Sequence, residues 1–466
     1  MKSKIVTLAL AVIFMSPKLF AGDLEWSGLY RFEGTQLNYP SLDTGSGARK
    51  EYAIHNLILR PKIVAADGLY INAQFNIFNS DAYNQLGAYF GDGLGTGTPT
   101  SSNDSNTASE NLASEQLAVT QFYLTFIQEY GRLIVGRAPL QFGLGITHNA
   151  GAGLFDHYSD TRDMVGYKIM MGNFYFFPSY AKINEGGLSS YDDINEWNYQ
   201  LVYENPDSDA SMGVHYQTRK AVNGGNDFPA TTVGGVVNGE YNSKNFNVFF
   251  KKETDNYNVG FEVAQQGGDT GVLAGVKSMS LGGFAAALEY EWHPKENKKT
   301  FGIKAGMATG DDPTTDDSFE GFIFDRNYDV AMFLFNHGMG QSDVLHTALI
   351  GRSATSVRDE PDTEAISNVT YISPYMKYKY SDKMSFVGVF TTGMLSDDTV
   401  MENTTLTMDT NLGYEFDFSV VYSVSDKITW VNQFGYFAPG DAWKAGTLNY
   451  DNDSIYGFVT KAAVSF

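Results

Sequence analysis

The chain ends on Tyr456-Gly457-Phe458-Val459-Thr460-Lys461-Ala462-Ala463-Val464-Ser465-Phe466. Successive side chains of a β-strand point to opposite faces, so Tyr456, Phe458, Ala462, Val464 and Phe466 share one face. Gly457, Lys461 and Ser465 share the other. One face suits lipid and its opposite suits water, which is how a strand of an outer-membrane β-barrel is written. Other segments repeat the scheme. Leu69, Ile71, Ala73, Phe75 and Ile77 alternate with Tyr70, Asn72, Gln74 and Asn76, and Phe284, Ala286, Leu288, Tyr290 and Trp292 stand opposite Glu289 and Glu291. From Leu412, the residues Tyr414, Phe416, Phe418, Val420 and Tyr422 alternate with Glu415, Asp417, Ser419 and Ser423. A soluble sandwich gives one such strand; a long series with aromatic ends favours an all-β transmembrane antiparallel barrel.

The other terminus agrees. Lys2 and Lys4 precede an apolar run from Ile5 to Met15, then Pro17, and Leu19-Phe20-Ala21 offers a small residue before Gly22. This reads as a secretory signal peptide over 1–21, with the barrel in 22–466. The run is too short to cross a bilayer as a helix, and nothing later approaches the ~18 apolar residues such a helix needs.

The 466 residues include no cysteine, 29 Tyr, 33 Phe and 48 Gly. Mean hydropathy is −0.24 although aromatics reach 14%. Such a chain is polar on average yet rich in aromatics, as expected where lipid and water faces alternate within each strand. Removing 1–21 takes away Lys2, Lys4 and Lys18 and no acid, leaving 29 basic and 54 acidic residues, a net of −25. A nucleic-acid partner is disfavoured by that balance.

Alternation and turn chemistry place strands at 24–36, 51–64, 68–79, 116–128, 131–139, 163–171, 173–183, 194–204, 210–220, 231–242, 244–266, 270–292, 299–309, 369–380, 384–395, 410–424, 428–438 and 455–466. That is about 18 strands, an even number that lets both termini be periplasmic. The segments 244–266 and 270–292 are long enough to hide hairpins at Thr254-Asp255-Asn256 and Gly282-Gly283, and splitting both gives twenty or more. Short turns are expected at 65–68, 129–131, 171–173, 381–383 and 425–427. Extracellular loops are expected at 38–49, 80–115, 140–160, 185–192, 221–230, 311–368, 396–409 and 440–453. A barrel of this size leaves an aqueous lumen.

Four stretches resemble the alginate-export type of outer-membrane porin and its relatives. They are Gly136-Arg137-Ala138-Pro139-Leu140-Gln141-Phe142-Gly143, Ala308-Thr309-Gly310-Asp311-Asp312 with Thr309 in a serine place, Leu412 to Asp417, and Gly435 to Asp441. Their order and spacing cover most of the mature chain, though each motif is short. The resemblance implies an 18-stranded porin passing a carbohydrate or a similar polar solute.

Parity puts Arg31, Glu33, Arg60, Lys62, Glu196, Glu262, Glu289, Glu291, Lys304, Lys377, Lys379, Glu415, Asp417 and Lys461 on inward faces, as candidate pore-lining charges. Burying Arg or Lys in lipid near the midplane costs roughly 2–4 kcal/mol, which is why such charges turn to water or to one another. They form either a constriction that sorts solutes by charge or ion pairs that hold the wall. Arg137 shares parity with Leu133 and Val135 and is expected at a rim. In the longest loop, Phe319, Phe322, Ile323, Phe324, Phe333, Leu334 and Phe335 need burial; they form a lumen plug, or one or two strands lie within 322–351. The pairs Asp192-Asp193, Asp311-Asp312, Asp316-Asp317 and Asp397-Asp398 are solvated loop charge or loop sites for Ca²⁺ or Mg²⁺; no spacing matches a calcium-binding loop and no other cofactor is expected. The seven His form no His-x-x-x-His pattern and no Gly-x-Ser-x-Gly elbow occurs, so no catalytic residue is assigned.

The reading is a Gram-negative outer-membrane porin for small polar solutes, ions and carbohydrates among them, with a preference for cations or neutral solutes. A barrel hydrolase or a loop-mediated adhesin is the alternative. Expected partners are outer-membrane lipid and lipopolysaccharide, and the barrel-assembly machinery through the C-terminal strand.

Overall fold

The repeated alternation of lipid-suited and water-suited residues leaves each strand with two faces to satisfy, and one closed sheet satisfies both. A computed structural model describes residues 23–46, 49–77, 88–89, 117–184, 193–221, 240–274, 277–295, 298–315, 317–347 and 364–466. Eighteen strands form the wall: β1 Asp23–Asn38, β2 Arg49–Ala66, β3 Leu69–Ile77, β4 Leu117–Gln128, β5 Gly131–Pro139, β6 Thr161–Met171, β7 Phe174–Asn184, β8 Ile194–Asn205 and β9 Ala210–Ala221. They continue as β10 Tyr241–Glu253, β11 Tyr257–Ala274, β12 Lys277–Trp292, β13 Lys299–Ala308, β14 Val369–Lys379, β15 Met384–Leu395, β16 Asn411–Ser425, β17 Ile428–Pro439 and β18 Ile455–Ser465. Each pairs antiparallel with the next, and β18 returns to β1 with Glu33 opposite Lys461, so the sheet has no free edge. No helix of the described residues is long and apolar enough to cross a membrane, a statement that does not bear on strands.

Closure gives each strand a hydrogen-bonding neighbour on both sides, the condition for backbone in a bilayer. The closing seam is tight. The Gly28 N–H donates to the Phe466 carbonyl at 2.9 Å and the Phe466 N–H donates back at 3.1 Å. A Cβ on Gly28 would lie 2.4 Å from the Phe466 ring.

The number eighteen agrees with the sequence, but two assignments offset each other. The expected strand 244–266 breaks at Thr254-Asp255-Asn256, where the Thr254 hydroxyl accepts the Tyr257 N–H at 2.9 Å and closes a turn between β10 and β11. The expected strand 231–242 falls largely on residues outside the described set, and its last two residues begin β10. Gly282-Gly283 makes no hairpin: both continue β12 opposite Gly267 and Gln266. Glycine serves there because the Gly321 carbonyl of the next loop would be 2.9 Å from a Cβ at 283.

Short and long connections alternate around the barrel. Two to six residues join β2–β3, β4–β5, β6–β7, β8–β9, β10–β11, β12–β13, β14–β15 and β16–β17 at one end, and the described loops after β1, β5, β13, β15 and β17 lie at the other. The outward face carries exposed Trp26, Phe122, Trp197, Trp292, Phe416, Trp430 and Phe458. Residues 1–21 and most of 80–115, 185–192 and 221–230 lie outside the described set.

Candidate functional site

Two long connections turn into the barrel and meet there. Within 309–347 the N–H groups of Met332 and Phe333 donate to Glu415 Oε1 at 2.8 and 2.7 Å, and that of Leu334 donates to Oε2 at 2.8 Å. Met332 N–H also donates to Asp417 Oδ2 at 3.0 Å. Three successive amides converging on one carboxyl group form an anion-binding nest, here built around a side chain of the wall. The Phe333 ring sits where Gly435 and Gly457 face each other across β17 and β18, and a Cβ on either would come within 2.6 and 2.9 Å of it. Ser373 donates to the Val330 carbonyl at 3.0 Å. Phe322, Phe324, Phe333, Leu334 and Phe335 are buried in one cluster with Leu37, Phe437, Trp443 and Val459. The apolar run therefore finds its surface inside the barrel. Among its described residues, 320–347 holds no strand; Ser318–Phe319 makes a two-residue parallel bridge to Ser280-Leu281.

Loop 140–160 is held in the same manner. Leu144, Gly145 and Ile146 donate their N–H groups to Glu262 Oε2 at 2.6, 3.1 and 3.4 Å, and the Thr147 hydroxyl donates to Oε1 at 3.3 Å. Further along, Arg31 donates to the Asp156 carbonyl and the His157 ring bonds Glu33 at 2.7 Å. Lys461 lies 3.4 Å from the second oxygen of Glu33. At its base, Glu196 accepts from Arg162 at 2.9 Å and Arg219 at 2.6 Å, and Asp160 bonds His148 at 3.1 Å. The two loops clasp each other: Asn327 accepts from the His157 and Tyr158 N–H groups at 3.0 Å, donates to the Tyr158 carbonyl at 2.8 Å, and Asp325 N–H donates to the Ile146 carbonyl at 2.8 Å.

Burial leaves its mark on the loop titratable groups. The carboxyl of Asp325 is pushed up to about 7 by burial and then by the charge of Asp160. Burial, with Asp343 nearby, pushes Glu364 up to about 7. His157 and His337 are lowered by burial, in His157 despite the attraction of Glu33. Burial would raise Asp160, but its His148 hydrogen bond and Arg162 hold it low.

Register assigns all fourteen parity-selected residues to the inward set, and burial divides them. Arg31, Glu33, Glu196, Glu262, Glu415 and Asp417 are sealed beneath the loops. Glu262, Glu415 and Asp417 hold loop backbone, Arg31 and Glu33 hold Asp156 and His157 of the loop, and Glu196 holds Arg162 and Arg219 of strands β6 and β9, so all six are engaged within the protein and meet no passing solute. The others keep access to water. Lys62 pairs with Glu25 at 2.9 Å, Lys379 with Asp382 at 2.9 Å, and Arg60 donates to Gln74 at 2.8 Å. Glu289, Glu291, Lys304 and Lys377 open onto one cavity of about 360 Å³, completed by Lys251, Glu253, Asn258, Gly260 and Tyr375 and roofed by Leu144. In it Lys304 lies 3.3 Å from Glu289, and Lys377 and Tyr375 reach Glu291 at 2.5 and 2.7 Å.

Parity reading missed Lys251 and Glu253 because one strand was run through the turn at 254–256. Arg162 falls one residue before the expected strand 163–171, and Arg219 shares parity with His215 and Gln217, a signal the sequence does carry. Arg137 lies on the outward set, bidentate to Asp163 at 2.8 and 2.7 Å. Among the described residues no group of three or more acids and histidines is disposed to hold a metal ion. Of the acid pairs, Asp311 accepts the Glu320 N–H, Asp312 the Thr314 N–H and Asp397 the Thr399 N–H, and Asp193 pairs with Lys182. Asp192 and Asp316 lie outside the described residues.

No protein-family model matches the chain, and no curated protein matches it. Solved structures do. A BenF-like porin from Pseudomonas fluorescens Pf-5 aligns with a TM-score of 0.53 at 11% identity, covering 95% of this chain and 98% of that one. OccAB3 of Acinetobacter baumannii gives 0.52 at 10% identity over 95% and 99%. The outer membrane protein opdK of Pseudomonas aeruginosa gives 0.51 at 7% identity over 95% and 98%. At such identities the likeness is one of fold: a closed 18-stranded barrel.

Proposed function

We propose that the chain is a channel of the Gram-negative outer membrane through which small polar solutes, ions and carbohydrates among them, cross down their gradients. The observation that carries this reading is the inward folding of loops 140–160 and 309–347, which fill part of a charged lumen while a polar cavity keeps charged side chains open to water. An adhesin or loop-borne hydrolase works through loops that project outward; these are fastened to the wall from within. The apolar outward belt and the porin neighbours support the membrane placement. In this reading residues 1–21 are cleaved on export, both termini are periplasmic, and the long loops face outside. The eight residues that keep access to water line the passage.

Cations and neutral solutes are preferred at the mouth. Between 309 and 347 the chain carries eight acids and one base, Arg326, and an acidic entrance raises the local concentration of cations. The purified full chain in a planar bilayer tests both parts. Ohmic conductance is expected, with a reversal potential of cation-selective sign in a KCl gradient. No conductance overturns the channel, and an anion-selective sign overturns the preference.

A further inference from the structure

We infer that the cavity roofed by Leu144 is a binding site for small zwitterions of the α-amino-acid type, an inference that rests on the channel reading. Register sets the charges in two rows. Lys251 faces Gly260, Gly260 faces Glu289, and Glu289 faces Lys304. One step toward the short turns, Glu253 faces Asn258 and Asn258 faces Glu291. Gly260 thus leaves a notch between Lys251 and Glu289, two strand spacings or about 10 Å across. The Leu144 side chain closes it from above, 2.8 Å from where a Cβ of residue 260 would be.

The other charges are committed. Lys304 is beside Glu289, and Lys377 and Tyr375 hold Glu291. Lys251 and Glu253 form no ion pair among the described residues and project from one face two positions apart, about 7 Å between Cα atoms. One positive and one negative group outside any ion pair therefore share a cavity of about 360 Å³, near the lower end of sizes that hold small ligands. A solute of single charge is attracted by one of them and repelled by the other. A neutral polyol satisfies neither charge. A molecule with an ammonium and a carboxylate a few ångströms apart satisfies both, which is discrimination by penalty against the wrong partner.

Three probes of similar size separate the cases: L-glutamine as zwitterion, N-acetyl-L-glutamine as anion and L-glutamine amide as cation. Their entry into proteoliposomes holding the full chain is measured at equal concentration, beside bilayer conductance. Glutamine is expected to enter at least threefold faster than either analogue. Lys251→Glu should move the preference to the cation, Glu253→Lys to the anion, and the double exchange should restore glutamine. The milder Lys251→Met and Glu253→Gln serve if a reversal disturbs folding, and each should abolish the glutamine advantage. Equal rates for the three probes in a conducting channel, or variants that leave the rank order unchanged, overturn the inference alone. Absence of conductance overturns it together with the channel.

Discussion

Replacing Glu415 by Ala should make the lumen segment 309–347 open intermittently. The substitution removes the acceptor of three buried amides, those of Met332, Phe333 and Leu334. A buried donor left without a partner costs about 1–3 kcal/mol, so the Phe333 and Leu334 amides together cost on the order of 2–6 kcal/mol, while Asp417 retains the Met332 amide. Opposing release, Phe322, Phe324, Phe333, Leu334 and Phe335 are buried with the wall, each contributing about 1.5–3 kcal/mol. Their sum, roughly 7–15 kcal/mol before the entropy of ordering the loop, exceeds the loss. The segment should stay inside for most of the time, while its opening probability rises by roughly 10–10⁴ at about 1.4 kcal/mol per factor of ten. Single-channel recording reads this directly. Wild type should show one steady level, Glu415→Ala bursts to a larger level, and deletion of 315–365 that larger level continuously. Identical traces for wild type and Glu415→Ala, in a barrel shown to be folded, would refute the fastening role. Unchanged conductance in the deletion would refute any restriction by the segment.

Phe333→Ala should destabilise the closed segment by about 3–5 kcal/mol, the usual cost of emptying a buried aromatic site, and give the same bursts without disturbing the Glu415 bonds. Opening should also depend on pH: Asp325 and Glu364, both raised to about 7 in the closed state, disfavour it when ionised, so closure strengthens as pH falls from about 7 toward the ordinary carboxyl range of about 4. Below about 6.5 the lowered His157 and His337 act in the opposite direction, and Asp325→Asn should flatten the upper slope in recordings across that range. Deleting Tyr456 to Phe466 removes the partner of both β1 and β17 and should abolish heat-modifiable, membrane-assembled protein; normal assembly of the truncation would count against closure through that strand. Gly28→Val should weaken the same seam, read as a lower temperature for loss of the folded band on a gel.

The wall was legible because its determinants are local. A period of two records which face meets lipid, and it does so in β18, β12, β16 and β3 with no knowledge of the partner strand. The Thr254-Asp255-Asn256 turn was visible as well, but its weight against an unbroken strand depended on pairing with neighbours, which is why one strand was misplaced while the number stayed at eighteen.

The roles of the inward charges were not legible. Parity puts Glu415 and Glu289 in the same class, yet one is sealed against Met332, 83 residues away, and the other opens onto the cavity beside Lys304. Glu262 likewise meets Leu144 across 118 residues. The sequence by itself determined the class of fold and the two faces of each strand, since alternation is a property of neighbouring residues. Only the tertiary structure decided which inward charges fasten loops and which face water, because a carboxyl group's role depends on the backbone amides that reach it, and these arrive from loops far along the chain.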